Sequence, residues 1–265
     1  MKAAEFICLA ASVAVLHAET NLDRGKHVLD ETIAALGGQT FMHMQDRVES
    51  GRAYSFYRER ITGLTIAKIY TRYLTRPEPP IASYLGVRER QAFTKKEDSA
   101  VLFAEGQGFD ITYRGARPLP DETVERYKES TLRNIFYIVR QRLGEPGLII
   151  ESKGSDVVEN QPVDILDITD YDNRVVTVYI NQLTHLPAKQ VTNRRESKTG
   201  YVNEEVTRFS KYRAVKGIQW PFDIQRERNG QKIYQMYSES VDINVGLTDN
   251  IFTLPANMKI LPKEK

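Results

Sequence analysis

The stretch Ile218-Gln219-Trp220-Pro221-Phe222-Asp223-Ile224-Gln225-Arg226-Glu227-Arg228-Asn229-Gly230 decides the reading of the fold. Trp220, Phe222, Ile224, Arg226 and Arg228 alternate with Gln219, Asp223, Gln225 and Glu227, the period of two expected of a strand with one face turned inward. Asn229-Gly230 follows at once. Both residues accept positive φ, so the chain is predicted to fold back there in a tight hairpin. Gln231–Ile243 is the returning strand.

The same kind of segment recurs on either side. Val48–Arg60, Leu64–Leu74, Tyr84–Phe93 and Ala100–Ala104 precede the hairpin at a distance. Gly147–Glu151, Pro162–Thr169, Arg174–Ile180, Pro187–Thr192 and Val202–Phe209 lead into it. All are rich in Tyr, Phe, Ile, Val and Thr and are divided by turn residues. Lys95-Lys96-Glu97-Asp98 and Tyr171-Asp172-Asn173 read as turns, and Pro77–Pro80 as a rigid loop. Two segments carry helical spacing instead. Leu22, Leu29, Ile33 and Leu36 mark a first helix stopped by Gly37-Gly38. Val124, Tyr127, Thr131, Leu132, Ile135, Val139 and Leu143 form one stripe, from which a single helix of roughly 34 Å is expected. Its acidic start at Glu122 and Glu125 and basic end at Arg140 and Arg142 suit the helix dipole. The pattern is α+β, mostly antiparallel β, with the helices segregated to one face of the sheet.

Composition sets the outer limits. The 265 residues hold 37 Lys+Arg and 35 Asp+Glu, a net charge of +2, which excludes a strongly basic nucleic-acid binder. With 14 Tyr, 10 Phe and one Trp the chain has too many core-forming residues to be disordered. Residues 1–18 read as a secretory signal peptide: Lys2, an apolar run from Phe6 to Leu16, and Leu16-His17-Ala18 as a cleavage site. That run, about 11 residues, is too short for a bilayer that takes about 20. Cleavage after Ala18 would remove Cys8, the only cysteine, and leave residues 19–265 as a single exported domain without disulfides.

Chemical motifs are sparse. His27, His43 and His185 lack metal-ligand spacing, and Asp167, Asp170, Asp172 and Asn173 fit a solvated turn better than a calcium loop. Gly106-Gln107-Gly108 is a tight turn without the third glycine of a nucleotide fingerprint. No cofactor or metal is implied. The tripeptide Arg-Glu-Arg occurs at Arg58–Arg60, Arg88–Arg90 and Arg226–Arg228. If its strand runs far enough, Tyr54, Phe56, Arg58 and Arg60 share a face, just as Trp220, Phe222, Ile224, Arg226 and Arg228 do. Each face passes from aromatic to cationic. Two readings stand: a core edge with solvated arginines, or an apolar cavity with guanidinium groups at its mouth.

A wider succession of segments carries a resemblance. Gly154-Ser155-Asp156-Val157-Val158-Glu159-Asn160-Gln161-Pro162-Val163, Val176-Thr177-Val178-Tyr179-Ile180, Thr184-His185-Leu186-Pro187, Glu205–Arg213, Gly217-Ile218-Gln219-Trp220-Pro221-Phe222, Arg228-Asn229-Gly230 and Phe252-Thr253-Leu254-Pro255 follow one another. This order resembles the periplasmic lipoprotein-carrier (LolA/LolB-like) superfamily, of the outer-membrane lipoprotein-sorting type. Glu105-Gly106-Gln107-Gly108-Phe109 agrees more loosely, and Arg76-Pro77 is followed by Glu78-Pro79-Pro80 where the carriers have an aromatic-rich strand. The resemblance implies a strongly curved, unclosed β-barrel with helices covering its opening and an apolar cavity between. It implies a monomeric, non-enzymatic periplasmic protein whose cargo is a lipid or a lipid-modified protein, exchanged with membrane-bound donor and acceptor proteins. Tyr54, Phe56, Trp220, Phe222 and Ile224 are then expected to line the cavity, with Ile135, Phe136 and Val139 from the lid and Arg58 and Arg226 near a head group. Two alternatives stay open: a scaffold protein with a filled core, and a secreted hydrolase using His185.

Overall fold

The computed structural model describes residues 19–75, 84–196 and 199–263. The leader 1–18 with Cys8, the Arg76-Pro77 departure and the Pro77–Pro80 loop lie outside them. Among the described residues, thirteen strands form one antiparallel sheet. They are β1 (Asp46–Tyr57), β2 (Arg60–Tyr73), β3 (Val87–Phe93), β4 (Ser99–Ala104), β5 (Gln107–Thr112), β6 (Gly115–Pro118), β7 (Ile149–Val158), β8 (Gln161–Thr169), β9 (Val175–Asn181), β10 (Pro187–Arg195), β11 (Val202–Val215), β12 (Ile218–Arg228) and β13 (Gln231–Ile243). Their spatial order is β6-β5-β4-β3-β2-β1-β13-β12-β11-β10-β9-β8-β7. Two meanders are therefore joined where the last strand pairs with the first. The sheet stays unclosed, with β6 and β7 as its edges.

That order dictates where the helices lie. The chain between β6 and β7 must travel from one edge to the other, and it does so with α3 (Asp121–Leu132), α4 (Ile135–Tyr137) and a π-helical turn, Ile138–Arg142. A further helix, α1 (Asn21–Leu36), starts on a reciprocal Thr20/Asp23 capping box and packs on β7, followed by the short α2 (Gln39–Met42). Contact there is close: a Cβ on Gly25 would stand 2.7 Å from the Ile150 carbonyl oxygen. The sheet bends at a bulge in β13, where Glu239 is the extra residue between the partners of Ser50 and Gly51 on β1. A Cβ at Gly51 would lie 2.1 Å from the Tyr237 carbonyl oxygen, so only glycine fits this crossing.

The single long helix expected from the stripe does not form. Asn134 takes an extended conformation, and its side chain accepts the N–H groups of Phe136 and Tyr137 at 3.0 and 3.3 Å, starting a new helix. Gln190 from β10 holds the break from the other side, accepting from Ile135 N–H at 3.1 Å and donating to the Arg133 carbonyl at 3.3 Å. Arg142, expected in the basic last turn of that helix, is buried: it donates to the Leu132 carbonyl at 2.6 Å and to Asp170 Oδ2 at 2.9 Å. Arg174 reaches the same Asp170 oxygen at 3.0 Å and Glu129 at 3.1 Å. The presumed solvated turn at Asp170 is thus the buried anchor of the helical crossing.

The strand expected to reach Arg60 stops earlier. Arg58 and Glu59 have φ of 47° and 63°, so they form a two-residue turn, and Tyr57 pairs with Arg60. The strands β5 and β6 were not anticipated. After β13, Asp46 accepts the N–H groups of Val245, Gly246 and Leu247 at 2.7, 3.0 and 3.0 Å. This turns the C-terminal chain over the outer face of β2–β6, where Phe252 packs among Ala92, Leu102 and Ile111. The strap ends against edge strand β6, with Ala116 N–H donating to Lys259 and Leu261 N–H to Ala116.

Candidate functional site

Register assigns every strand residue to a face. Arg47, Thr71, Glu89 and Phe103 follow one another across β1, β2, β3 and β4, and Ile243 stands opposite Arg47 on β13. Ala53, Met236, Ile224 and Phe209 do the same across β1, β13, β12 and β11. These residues lie on the concave face, under the helical crossing. Its two halves differ sharply in chemistry.

The half built from β7–β13 is apolar and filled. Trp220 and Phe222 of β12 and Phe209 of β11 meet Phe136 of α4, with ring centroids 5.0 Å apart for both Phe136–Trp220 and Phe136–Phe209. Ile135 and Val139 are wholly buried in the same cluster, and Ile224 sits partly buried at its border. Six of the expected residues therefore come together. Tyr54 does not join them: it pairs with Gln235, which pairs with Gln225, one position out of step with Ile224. Phe56 is also on the outer side, with Lys232 Nζ 4.5 Å from its ring, near Gln235. The alternation in β1 was read correctly, but its aromatic face looks outward. Arg58 lies in the exposed β1–β2 turn. Arg226 lies on the concave side, exposed, 5.7 Å from the Tyr234 ring centroid.

The other half is polar, which the sequence reading missed. Arg47 lies flat over Trp220 at 4.0 Å and donates to Thr71 Oγ1 at 3.1 Å. Its Nε is 3.6 Å from Glu49 Oε2, and the Ser238 hydroxyl donates to Glu49 Oε1. Gln91 donates to Glu89 at 2.6 Å. Among the described residues, neither Arg47 Nε nor Trp220 Nε1 has a hydrogen-bond acceptor, though both side chains are buried. Tyr127 of α3 stacks on Phe103 at 3.7 Å and closes this side.

Burial pushes the Glu89 carboxyl up, against the opposing pull of Gln91, Arg47 and Arg226. Burial also raises the phenols of Tyr73 and Tyr127, and that of Tyr234 to about 12. Glu89 nonetheless keeps part of its surface accessible. Two donors without a hydrogen-bond acceptor and a carboxyl raised by burial suit oxygen acceptors, while the adjoining Trp220 and Phe136 suit a hydrocarbon.

No protein-family profile matches this chain, and no curated protein matches it. Solved structures do. A DUF1329 family protein from Desulfovibrio piger superposes with a TM-score of 0.58 at 12% identity, covering 88% of this chain and 98% of its own. A putative outer membrane lipoprotein-sorting protein domain from Vibrio parahaemolyticus gives 0.56 at 11% identity, with 88% and 97% covered. A LolA superfamily protein from Nitrosomonas europaea gives 0.51 at 12% identity, with 86% and 97% covered. The fold is LolA-like. The unclosed sheet and the crossing helices expected from the resemblance are both present.

Within this LolA-like fold His185 stands apart from the concave face. It occupies the turn between β9 and β10 with φ of 54°, and its ring faces Glu31 of α1 at 3.4 Å. His27 approaches the same carboxylate at 3.4 Å. The Thr184 hydroxyl beside it is bonded to Asn181 Oδ1 at 3.2 Å. Two imidazoles thus face one surface carboxylate, without the nucleophile a hydrolase would need among the described contacts.

Proposed function

We propose that this protein is an exported, periplasmic carrier that binds an amphipathic guest, a lipid or the acyl chains of a lipid-modified protein, on the concave face. The observation carrying this reading is the division of that face: a hydrocarbon floor around Trp220 and Phe136 meets a polar wall of Arg47, Glu49 and Glu89 under a helical crossing. The likeness to a lipoprotein-sorting domain supports it at the level of fold. Access requires the crossing to move, because Ile135, Phe136 and Val139 fill the floor themselves. The crossing is built for this. It is broken at Asn134, continues as a π-turn, and is tied by side-chain bonds to the chain flanking β1, β2 and β3: Arg140 to the Met44 carbonyl at 2.8 Å, and Gln141 to the Leu74 and Gly86 carbonyls at 3.1 and 2.9 Å.

The magnitudes balance. Lifting three buried side chains costs about 1.5–3 kcal/mol each, and an entering chain returns about 0.8 kcal/mol per methylene. Displacement therefore breaks even at about 6–11 methylenes. Titration with lysophospholipids of increasing chain length, followed through Trp220 emission, tests this: binding should set in over that range, and equal response to the shortest and longest chains, or none, contradicts the proposal.

The packed floor favours one second reading, a scaffold whose core is filled by its own residues. It predicts no response at any chain length.

A further inference from the structure

One rim of the sheet has a different character from the rest of the surface. In an antiparallel meander alternate turns fall at the same end, so the β1–β2, β3–β4, β5–β6, β8–β9, β10–β11 and β12–β13 turns share one rim. At its centre the outer face of the β1–β2 hairpin is apolar and uncovered. Ile61 and Leu64 are 60% and 62% exposed on it, and Tyr57, 64% exposed, stands beside the tip, one position out of step with Phe56. Ile61 pairs with Phe56 and Leu64 with Tyr54, which joins the four into one patch. Cations outnumber anions around it, with Glu59 at the tip and Asp98 in the adjacent β3–β4 turn the exposed acids. Arg58 and Arg60 are exposed at the tip, and Lys232 flanks Phe56. The adjacent β3–β4 turn presents Lys95 and Lys96. Three further turns on this rim each present an exposed tyrosine, Tyr113, Tyr171 and Tyr201.

Exposed tyrosine beside arginine or lysine, with a few aliphatic side chains at a hairpin tip, is the composition that settles in a bilayer interface. Rings and aliphatic tips enter the head-group boundary, and the cations meet anionic lipid. A flat protein partner would instead favour a broader patch depleted of charge at its centre. We propose that this rim, centred on the β1–β2 hairpin, docks the protein on an anionic membrane surface. Such docking is independent of whether the concave face holds a guest, so the failure of either proposal leaves the other standing.

The test is co-sedimentation of the purified protein with vesicles of phosphatidylethanolamine and phosphatidylglycerol, against vesicles of phosphatidylcholine. Binding to the anionic vesicles should be at least tenfold stronger and should fall as salt rises. The Ile61→Ser/Leu64→Ser and Arg58→Glu/Arg60→Glu variants alter only exposed positions and should remain folded by circular dichroism. Each should lose at least tenfold in vesicle binding. Equal binding to both vesicle types, no binding to either, or variants that bind like the unmodified protein would overturn the proposal.

Discussion

Replacing Asp170 by alanine probes how the helical crossing is held. The carboxylate is buried, its side chain 2% exposed, and accepts four hydrogen bonds. Oδ1 takes the N–H groups of Asp172 and Arg174 at 3.1 and 2.9 Å, and Oδ2 takes the guanidinium groups of Arg142 and Arg174 at 2.9 and 3.0 Å. Removing one partner of a buried pair costs about 3–5 kcal/mol. Arg142 retains Glu145 at 2.7 Å, which argues for the lower end, and two lost backbone bonds add about 1 kcal/mol each. We expect a total of about 4–5 kcal/mol. Asp170→Asn keeps an acceptor for the turn and should cost about 2 kcal/mol less than alanine. Urea unfolding followed through Trp220, the only tryptophan, reads both values. A cost below about 1 kcal/mol for alanine would refute the idea that this carboxylate anchors the crossing. The pH dependence has a definite sign. Burial alone would raise this carboxyl, but the bonds from Arg142 and Arg174 outweigh it and the value lies below the usual 3.8. Its contribution is therefore complete above the unfolded value and lost as pH falls below it through the folded one.

Glu89 should behave in the opposite way: burial raises its carboxyl, so the folded state binds protons more tightly and stability falls as pH rises above the unfolded value of about 4.5. Glu89→Gln should be neutral in acid and stabilising at pH 7 by thermal melting; equal effects at both would contradict the buried placement. Gly51→Ala, which sets a methyl 2.1 Å from the Tyr237 carbonyl oxygen, should destabilise by at least about 3 kcal/mol in urea titration. Trp220→Phe forfeits no hydrogen bond and should cost under about 1.5 kcal/mol, whereas Trp220→Ala should cost about 3–5 kcal/mol; similar values for the two would mean that the ring is not packed as described.

The β12–β13 hairpin was readable in full, because strict alternation and Asn229-Gly230 are both local signals and both strands take the expected bounds. Period two says which residues share a face, but not which face turns inward. Tyr54 and Phe56 were therefore grouped correctly and placed on the wrong side. The helix break was invisible for another reason: the stripe continues through Asn134, and the second clamp, Gln190, arrives from β10. The polar half of the face left no mark in the sequence, since nothing in the pattern around Arg47, Glu49 and Glu89 tells an inward charged residue from an outward one. The Arg-Glu-Arg triplets show how little such a motif fixes alone. At Arg58–Arg60 it makes a turn, at Arg88–Arg90 it turns the glutamate to the concave face, and at Arg226–Arg228 it leaves the first arginine on the concave side while Glu227 pairs outside with Arg208 at 2.8 Å.

Everything proposed for the concave face rests on a guest that lodges between the aromatic floor and the charged wall. Native mass spectrometry of the gently purified protein, with extraction and identification of whatever it carries, addresses this most directly. The account predicts a one-to-one adduct of an acyl-bearing amphiphile, retained by the unmodified protein and depleted in Trp220→Ala and Phe136→Asp variants that still fold. A protein that emerges bare, and stays bare after incubation with long-chain lipids, would contradict it.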